Sequence, residues 1–254
     1  MDGSPFLRVS IAGSDTGRDL NLHKRVAIVA RAAGPLPGKR LLDCGCGAGA
    51  YAREYAKLGA HVVGVEYQRD KVRAAPRGVP GLLVVAGDAS ALPLSAASFD
   101  VAVLNEVLEH VPDQRRVLSE LHRVLAPSGR LVLMSPNRLY PFESHGVNLR
   151  ASKRPLPAYT PFVPYVPLAL GTRLLDYWAR NYWPWELRRM VRDAGFRIVH
   201  TGFVAQTFEN ISGQQPGWVK HVRPALREAF SFSERIPGLR ALCSVSQLVV
   251  ADKP

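Results

Sequence analysis

The sequence has few cysteines and no long apolar run. Its three cysteines, Cys44, Cys46 and Cys243, cannot form a disulfide framework in 254 residues and fit a reducing compartment. The longest apolar stretch, Phe162 to Leu170, contains two prolines and is too short to span a bilayer. The first 20 residues are polar and lack the apolar region of a signal peptide. We therefore expect a soluble, cytoplasmic protein.

Acidic side chains are scarce relative to basic ones. The chain has 33 Lys+Arg against 21 Asp+Glu, a net charge of +12, which favours an acidic partner such as nucleic acid, anionic lipid or a phosphorylated substrate. Residues 1–140 carry 18 basic and 13 acidic side chains, whereas residues 141–254 carry 15 and 8 together with all four tryptophans. The two parts are therefore expected to do different jobs.

The composition is that of a globular protein. Hydrophobic residues make up 47% of the chain and charged residues 21%, which excludes a disordered, collagen-like or low-complexity protein. The length favours one large domain with insertions over two domains.

Short apolar runs alternate with amphipathic segments along most of the chain. The predicted strands are Lys39–Asp43, His61–Glu66, Leu82–Ala86, Phe99–Leu104, Arg130–Met134, Phe196–Val204 and Val245–Ala251. The predicted helices are 21–33, Ala50–Leu58, Asp113–Leu125 and Trp183–Ala194. This alternation predicts an α/β fold with a doubly wound, mostly parallel sheet.

Two segments interrupt the alternation. Residues 137–182 are rich in proline and aromatic residues and are too long for an ordinary connection, which is typical of a functional lid. Residues 206–242 form a second insertion, with a helix predicted near Val219 to Phe230. We therefore divide one domain into an N-terminal extension (1–38), a core (39–136), the lid insertion (137–182) and a C-terminal part (183–254).

A glycine-rich loop follows the first predicted strand. In Leu41-Leu42-Asp43-Cys44-Gly45-Cys46-Gly47-Ala48-Gly49, the glycines permit a tight turn and the close approach of a ligand at the start of a helix. Gly45, Gly47 and Ala50 also satisfy the dinucleotide pattern G-x-G-x-x-G/A, with Glu66 placed to bind a ribose. On its own, this loop leaves a nicotinamide cofactor open.

Acidic residues follow four successive strands and disfavour a pyrophosphate. Asp43 precedes the glycines, Glu66 ends the second strand, Asp88 follows the third, and Asn105, Glu106 and Glu109 follow the fourth. Strand ends meet at one edge of a parallel sheet, so a pyrophosphate there would be repelled, whereas a ligand with an ammonium, a sulfonium and a ribose would be stabilised.

At this point the chain resembles a class I S-adenosylmethionine-dependent methyltransferase of type 11, the family that includes UbiE-like and UbiG-like enzymes. The resemblance covers residues 39–138 through LLDCGCGAGAYA, VVGVEY, AGDASALPLSAASFDVAVLNEVLEHV and ELHRVLAPSGRLVLMSPNR, in order. It implies a Rossmann-like seven-stranded sheet whose last strand is antiparallel. It also implies S-adenosylmethionine as cofactor.

The resemblance assigns cofactor contacts to individual residues. Asp43 and the loop would hold the methionyl amine, Glu66 the ribose hydroxyls, and Tyr67 would lie against the adenine. Asp88 and the Ala89 N–H would bind the adenine edge, and Asn105 and Glu106 would line the methionyl group. The full set of predicted cofactor-binding residues is Asp43, Gly45, Cys46, Gly47, Gly49, Glu66, Tyr67, Asp88, Ala89, Asn105 and Glu106.

Several of these residues also have plain structural interpretations. Cys44 and Cys46 fit packing as small apolar side chains better than metal or redox work, because only one further cysteine exists. Asp88 also fits a simple turn residue, and Glu109 also fits a capping residue.

Transfer to an oxygen atom requires a base, and three residues are candidates. His110 follows the fourth strand, while Glu143 and His145 alternate around Ser144 after the fifth. Each of them also fits an ordinary role in ordering its loop. We find no further ligands at regular spacing and predict no metal site.

The sequence leaves the acceptor open. An O-methyltransferase for a small molecule, a sugar or a lipid-linked acceptor is the first hypothesis, and an RNA methyltransferase the second. A non-catalytic binding protein and a dehydrogenase are further alternatives. The aromatic residues of the lid fit either contact with an acceptor or with a membrane surface, or a small core of the insertion itself. We assign the excess positive charge of the C-terminal part to the acceptor side, and the oligomeric state stays open.

Overall fold

The computed structural model describes residues 20–157, 160–205, 225, 236 and 238–254. Seven strands form one sheet in the order β3-β2-β1-β4-β5-β9-β8. Their bounds are β1 (Arg40–Cys44), β2 (His61–Glu66), β3 (Leu82–Ala86), β4 (Phe99–Asn105), β5 (Leu125–Pro136), β8 (Arg197–Ala205) and β9 (Ser244–Asp252). All neighbouring pairs are parallel except those of β9, which is antiparallel to both β5 and β8. The predicted doubly wound sheet with an antiparallel last strand is confirmed.

Apolar layers cover both faces of the sheet, because β1 and β4 alternate their side chains between two buried environments. Leu42 and Cys44 pack in the layer that includes helices α4 and α6, whereas Leu41 packs in the layer that includes α1 and α2. The helix bounds are α1 (Leu20–Ala33), α2 (Ala50–Lys57), α3 (Arg69–Ala74), α4 (Gln114–Val124), α5 (Leu168–Leu174), α6 (Pro184–Asp193) and α7 (Leu239–Leu242). None of the helices in these ranges has the length and hydropathy that a membrane span requires.

Helix α4 shows how the local sequence fixes an element. The Asp113 carboxylate accepts a hydrogen bond from the Arg116 N–H at 3.0 Å and caps its start. Val117, Leu118 and Leu121 are fully buried at helical spacing. In contrast, the sequence pattern missed the short helix α3, which is only six residues long and buries none of its side chains.

The lid insertion has structure of its own. Its strands β6 (Val147–Leu149) and β7 (Leu175–Tyr177) pair antiparallel, and a short 3₁₀ turn, Val163–Tyr165, precedes α5. Val147, Val163 and Leu175 form a small apolar core. Such packing within the insertion is what the alternative of a small core of its own predicts. The predicted helix near Val219 to Phe230 and most of the second insertion lie outside the described residues.

Part of the positive charge of the C-terminal part lies away from the predicted ligand edge. A surface cavity of 590 Å³ is lined by residues of α6 and β8, among them Arg188, Arg192 and Arg197. Arg197 opens β8 at the end of the sheet where Arg130 of β5 also lies, which is the amino edge of the parallel strands. The sequence-based assignment of this charge to the acceptor side is therefore wrong for these arginines.

Candidate active site

The glycine loop lies at the carboxyl end of β1 and is tied to β2. The N–H groups of Gly45 and Cys46 donate to the carbonyl oxygen of Val65 at 2.7 and 3.1 Å. Gly45, Gly47 and Gly49 all have positive φ angles, between 57° and 80°, a conformation that L-residues avoid. This backbone turn is therefore specified by the three glycines.

The residue type at position 45 is also restricted by Val107, which lies in the turn after β4. A Cβ atom at this position would lie 2.4 Å from a side-chain methyl carbon of Val107, closer than side chains pack. By contrast, a Cβ atom at Gly47 would meet nothing within 4 Å. The space beside Gly47 is open for a ligand.

Asp43 ends β1 directly below this loop and is almost fully buried. Burial and the charge of Glu66 raise the pKa of Asp43 to about 7. Within the described residues, its Oδ2 atom has no hydrogen-bond partner. An uncompensated buried carboxylate is costly, so the geometry favours a cationic ligand group at this position.

A pH-dependence of stability follows from this environment. The folded protein holds the Asp43 proton up to about pH 7, whereas the unfolded chain releases it near the ordinary value of 3.8. The folded state therefore binds more protons between these values, and stability falls as the pH rises through this window. In Asp43→Asn we expect this contribution to disappear.

Urea unfolding of wild type and Asp43→Asn at several pH values between 4.5 and 7.5 tests this expectation. The stability of the variant relative to wild type should increase with pH. Asp100→Asn is the matched control: Arg40 lowers the pKa of Asp100, so its difference from wild type should stay flat in this range. A constant difference for Asp43→Asn would contradict the buried-carboxyl assignment.

Glu66 closes the glycine loop from β2. Its Oε2 atom accepts a hydrogen bond from the Gly47 N–H, and its Oε1 atom accepts one from the Gln68 N–H, both at 2.9 Å. Tyr67 follows it and is 63% exposed, so its ring is free to cover a planar group at the rim. These two hydrogen bonds therefore hold the Glu66 carboxylate beside the glycine loop, where a ribose would bind in the predicted assignment.

Asp88 and Ala89 follow β3, beyond Glu66. The Asp88 Oδ1 atom accepts hydrogen bonds from the N–H and the hydroxyl of Ser90, each at 2.8 Å. Asp88 therefore acts as a turn residue in the structure, which is compatible with a second contact at its other oxygen. Since Glu66 pairs with Ala86 across β2 and β3, Asp88 lies two residues beyond the strand position beside Glu66.

The two loop cysteines are buried thiols. Burial and the surrounding carboxylates raise the pKa of Cys44 and of Cys46 far above the ordinary value. A Cβ atom added at Gly64 would lie 2.7 Å from the Cys46 sulfur, so the thiol fills the space that this glycine leaves. Both side chains pack as small apolar groups.

On the other side of the loop, β4 ends at Asn105 and is followed by Glu106, and both side chains bind Arg25. The Arg25 Nη1 atom donates to Asn105 Oδ1 at 2.6 Å and to Glu106 Oε1 at 2.9 Å. Its Nη2 atom donates to the Ser246 hydroxyl on β9 at 2.8 Å. Burial opposes ionisation of Glu106, but Arg25 and His145 outweigh it and lower the pKa of Glu106.

Arg25 was missed by the sequence analysis, although a signal was present. It lies on α1 at the spacing of Leu22, Val26 and Val29, so an arginine occupies the apolar stripe of an amphipathic helix. Such an arginine is expected to have a buried partner.

Glu109, His110 and His145 come together beside Glu106. His110 Nε2 lies 3.8 Å and His145 Nε2 lies 3.9 Å from Glu109 Oε1, and the two rings meet edge to face. Burial and Glu106 raise the pKa of Glu109 well above its usual range. The structure thus joins His110 and His145, which the sequence placed on separate loops, and adds Glu109.

Glu143 has a different position. Its Oε1 atom accepts a hydrogen bond from the His145 N–H at 2.9 Å, and its Oε2 atom accepts one from Asn181 Nδ2 at 3.2 Å. Both oxygens are engaged in holding the loop, so we assign Glu143 a positioning role. The His145 ring in turn contacts the Ser144 hydroxyl through Nδ1 at 3.3 Å.

The lid insertion is anchored to the strand ends that carry these residues. Arg138 donates to the carbonyl oxygens of Pro164 and Val166 at 2.6 and 2.8 Å, and its guanidinium lies over the Trp183 ring. Trp183 stacks between Tyr165 and Trp185, the last of which is 61% exposed. An aromatic surface therefore stands next to the site.

Comparisons with known proteins agree with this geometry. Residues 42–133 match the family Methyltransf_11, described as a methyltransferase domain. A demethylmenaquinone methyltransferase of Renibacterium salmoninarum is 35% identical over 106 residues, 42% of this chain and 45% of that protein. Another protein of this name, from Beutenbergia cavernae, is 37% identical over 128 residues, 49% of this chain and 53% of that protein.

The fold agrees as well. An S-adenosylmethionine-dependent methyltransferase structure from Mesorhizobium loti is 21% identical, with a TM-score of 0.59 over 91% of this chain and 99% of that chain. The chain spans about half or less of the length of the curated relatives it matches.

Proposed function

We propose that the chain transfers a methyl group from S-adenosylmethionine to an oxygen atom of a small-molecule, sugar or lipid-linked acceptor. The match of residues 42–133 to the family Methyltransf_11 and the likeness to methyltransferases support this proposal. In this proposal, residues 39–136 bind the cofactor and residues 137–182 form the acceptor side.

The cofactor half of the proposal is supported by the acidic side chains at neighbouring strand ends. Asp43 lies where the methionyl ammonium would supply the missing counter-charge, and Glu66 where two ribose hydroxyls would bind. Tyr67 would cover the adenine, while Asp88 and the Ala89 N–H would bind its edge. The loop glycines allow the cofactor to approach the backbone.

The chemistry requires little from the protein beyond alignment and exclusion of water, because the sulfonium already activates the methyl group. The oxygen of the acceptor attacks the methyl carbon, the sulfur–carbon bond breaks, and its electron pair returns to sulfur. The acceptor must also lose its proton. One observation supports oxygen as the atom that accepts the methyl group: the two imidazoles of His110 and His145 lie together beside the end of β4, where they could accept the proton of a hydroxyl group.

An RNA acceptor is the second candidate. The net charge of +12 favours it, since phosphate binding depends on basic side chains. Retention on tRNA or rRNA that falls steeply with salt would support RNA, and passage without retention at moderate salt would support the small acceptor.

Calorimetric titration with S-adenosylmethionine and with NADH tests the cofactor. We expect S-adenosylmethionine to bind with one site and NADH not to bind. In Glu66→Gln we expect the affinity to fall about 10-fold or more, since hydrogen bonds to a charged group contribute roughly 1.5–3 kcal/mol. Glu54→Gln, which changes a carboxylate paired with Lys57 on α2, should bind as wild type does. Unchanged affinity in Glu66→Gln would refute the ribose assignment.

A further inference from the structure

Three potential metal ligands converge where the sequence showed no regular ligand spacing. Glu109, His110 and His145 each offer one ligand atom, and these atoms all lie within 4.8 Å of one another. Two of the residues lie in the turn Leu108–His110, and the third comes from the start of the lid insertion. The arrangement therefore arises only when the insertion folds back onto the end of β4.

Glu109 supplies the observation that points to a cation. Its side chain is fully buried, and its Oε1 atom has no hydrogen-bond partner among the described residues. That atom is the one facing both Nε2 atoms, at 3.8 and 3.9 Å, which is too long for hydrogen bonds. One carboxylate oxygen and two ring nitrogens thus lie close together without a hydrogen bond between the oxygen and either nitrogen.

The charges around Glu109 also favour a bound cation. The Glu109 side chain is fully buried and that of Glu106 is 22% exposed, and Arg25 pairs with Glu106. A divalent ion would place positive charge beside Glu109, which forms no ion pair with a lysine or arginine in the described part of the chain. The Glu106 Oε2 atom lies 4.0 Å from His145 Nε2, so a second carboxylate oxygen lies next to the cluster.

Both ligand-bearing segments are held in place. The Glu109 carbonyl oxygen accepts from the Arg180 N–H at 3.2 Å, and the Ser135 hydroxyl lies 3.5 Å from Glu109 Oε2. The contact of Ser144 with His145 Nδ1 leaves Nε2 directed to the cluster. Outer contacts of this kind are what orient imidazole ligands in metal sites.

We propose that Glu109, His110 and His145, with Glu106 as an additional oxygen ligand, bind one divalent first-row transition-metal ion of the Mn²⁺, Co²⁺ or Zn²⁺ class. Two imidazoles and one or two carboxylates are the donor set such ions prefer. Ligands about 2.1 Å from an ion in tetrahedral geometry lie roughly 3.4 Å apart. The contacts of Glu109 Oε1 with the two Nε2 atoms, at 3.8 and 3.9 Å, and the remaining pair of ligand atoms, within 4.8 Å, must therefore all shorten when an ion binds.

The role of the ion rests on the proposed function. An open coordination position would take the acceptor hydroxyl and stabilise its oxygen as an alkoxide or phenolate. With the ion bound, the imidazoles and carboxylates of the cluster act as ligands rather than proton acceptors, so the hydroxyl proton passes to water. The acceptor oxygen then attacks the methyl carbon as described above. This inference narrows the acceptor to one that presents a hydroxyl oxygen.

Binding is tested on the full chain after dialysis against a chelator, without cofactor. Titration with Mn²⁺ followed by electron paramagnetic resonance, and with Co²⁺ followed by visible absorption, should show one site per chain. Glu109→Gln and His145→Gln should each weaken binding about 10-fold or more. The matched control is His122→Gln. His122 lies on α4 and packs against Phe196, outside the cluster, so this substitution should leave metal binding unchanged.

The proposal would be overturned if the wild type did not bind the ion stoichiometrically, or if Glu109→Gln and His145→Gln bound it as tightly as wild type. Should a variant fail to fold, the nitrogen and oxygen ligands counted by X-ray absorption of the Co²⁺-loaded wild type decide, and fewer than two imidazoles would refute it. Titration with S-adenosylmethionine without metal separates the two claims. If the cofactor binds and the ion does not, this inference alone fails; if the ion binds and the cofactor does not, the proposed function fails.

Discussion

Replacing Gly45 by alanine is expected to destabilise the protein by about 2–5 kcal/mol and to abolish cofactor binding. The residue has a φ of 80°, and an L-residue in this left-handed region costs roughly 1–2 kcal/mol. The added methyl group would also lie 2.4 Å from Val107, and relieving such overpacking costs about 1–3 kcal/mol more. Because Val107 connects β4 to the histidine cluster, the displacement would reach both halves of the site.

Gly47→Ala is the matched control for this prediction. It shares the positive φ, at 57°, but its Cβ would meet nothing within 4 Å, so only the backbone cost of about 1 kcal/mol should appear. Urea unfolding of both variants gives the comparison. Adding Val107→Ala to Gly45→Ala should restore part of the loss, and equal destabilisation of the two glycine variants would show that the Val107 contact is unimportant.

Replacing Arg25 by methionine is expected to cost about 3–5 kcal/mol, the range for removing one partner of a buried ion pair. Arg25 is 5% exposed and binds Asn105, Glu106 and Ser246, so its loss would leave the Glu106 carboxylate, 22% exposed, without its counter-charge beside the proposed acceptor site. We also expect weaker cofactor binding, because Asn105 and Glu106 would lose the contact that orients them.

Arg40→Met is the control for Arg25→Met. Arg40 and Asp100 form a pair whose side chains are 50% and 37% exposed, and such pairs contribute about 0–1 kcal/mol. The double variant Arg25→Met/Glu106→Gln should recover part of the lost free energy of unfolding, since the uncompensated charge is removed with its partner. A loss under 1 kcal/mol for Arg25→Met would contradict the assigned role of this ion pair.

The core and the cofactor loop could be predicted from the sequence because their signals are local. His61–Glu66 and Leu82–Ala86 were predicted with the bounds that the structure has, since continuous apolar runs ended by turn residues define buried parallel strands. Likewise, Asp43 and Glu66 fall at adjacent strand ends because the order of the motifs fixes the order of the strands.

The acceptor side could not be predicted in the same way because its contacts join distant segments. Glu109 and His145 are separated by β5 and the start of the insertion, and no spacing rule relates them. Arg25 binds residues 80 and 221 positions further along the chain. The strands β6 and β7 are three residues long, too short for a periodic pattern to show.

The position of β9 has a consequence for how the molecule is made. This strand lies between β5 and β8 yet follows both in the sequence, so the two cannot join the same sheet until β9 enters the gap. On β9, the Ser246 hydroxyl accepts a hydrogen bond from Arg25, and the Gln247 side chain donates one to the carbonyl oxygen of Tyr182. On the ribosome, the nascent chain therefore completes its proposed acceptor site only after β9 has emerged, and sequence separations this long make that closure slow. A chain stalled before this strand would leave edges of β5 and β8 unpaired, and unpaired strand edges can pair with other chains.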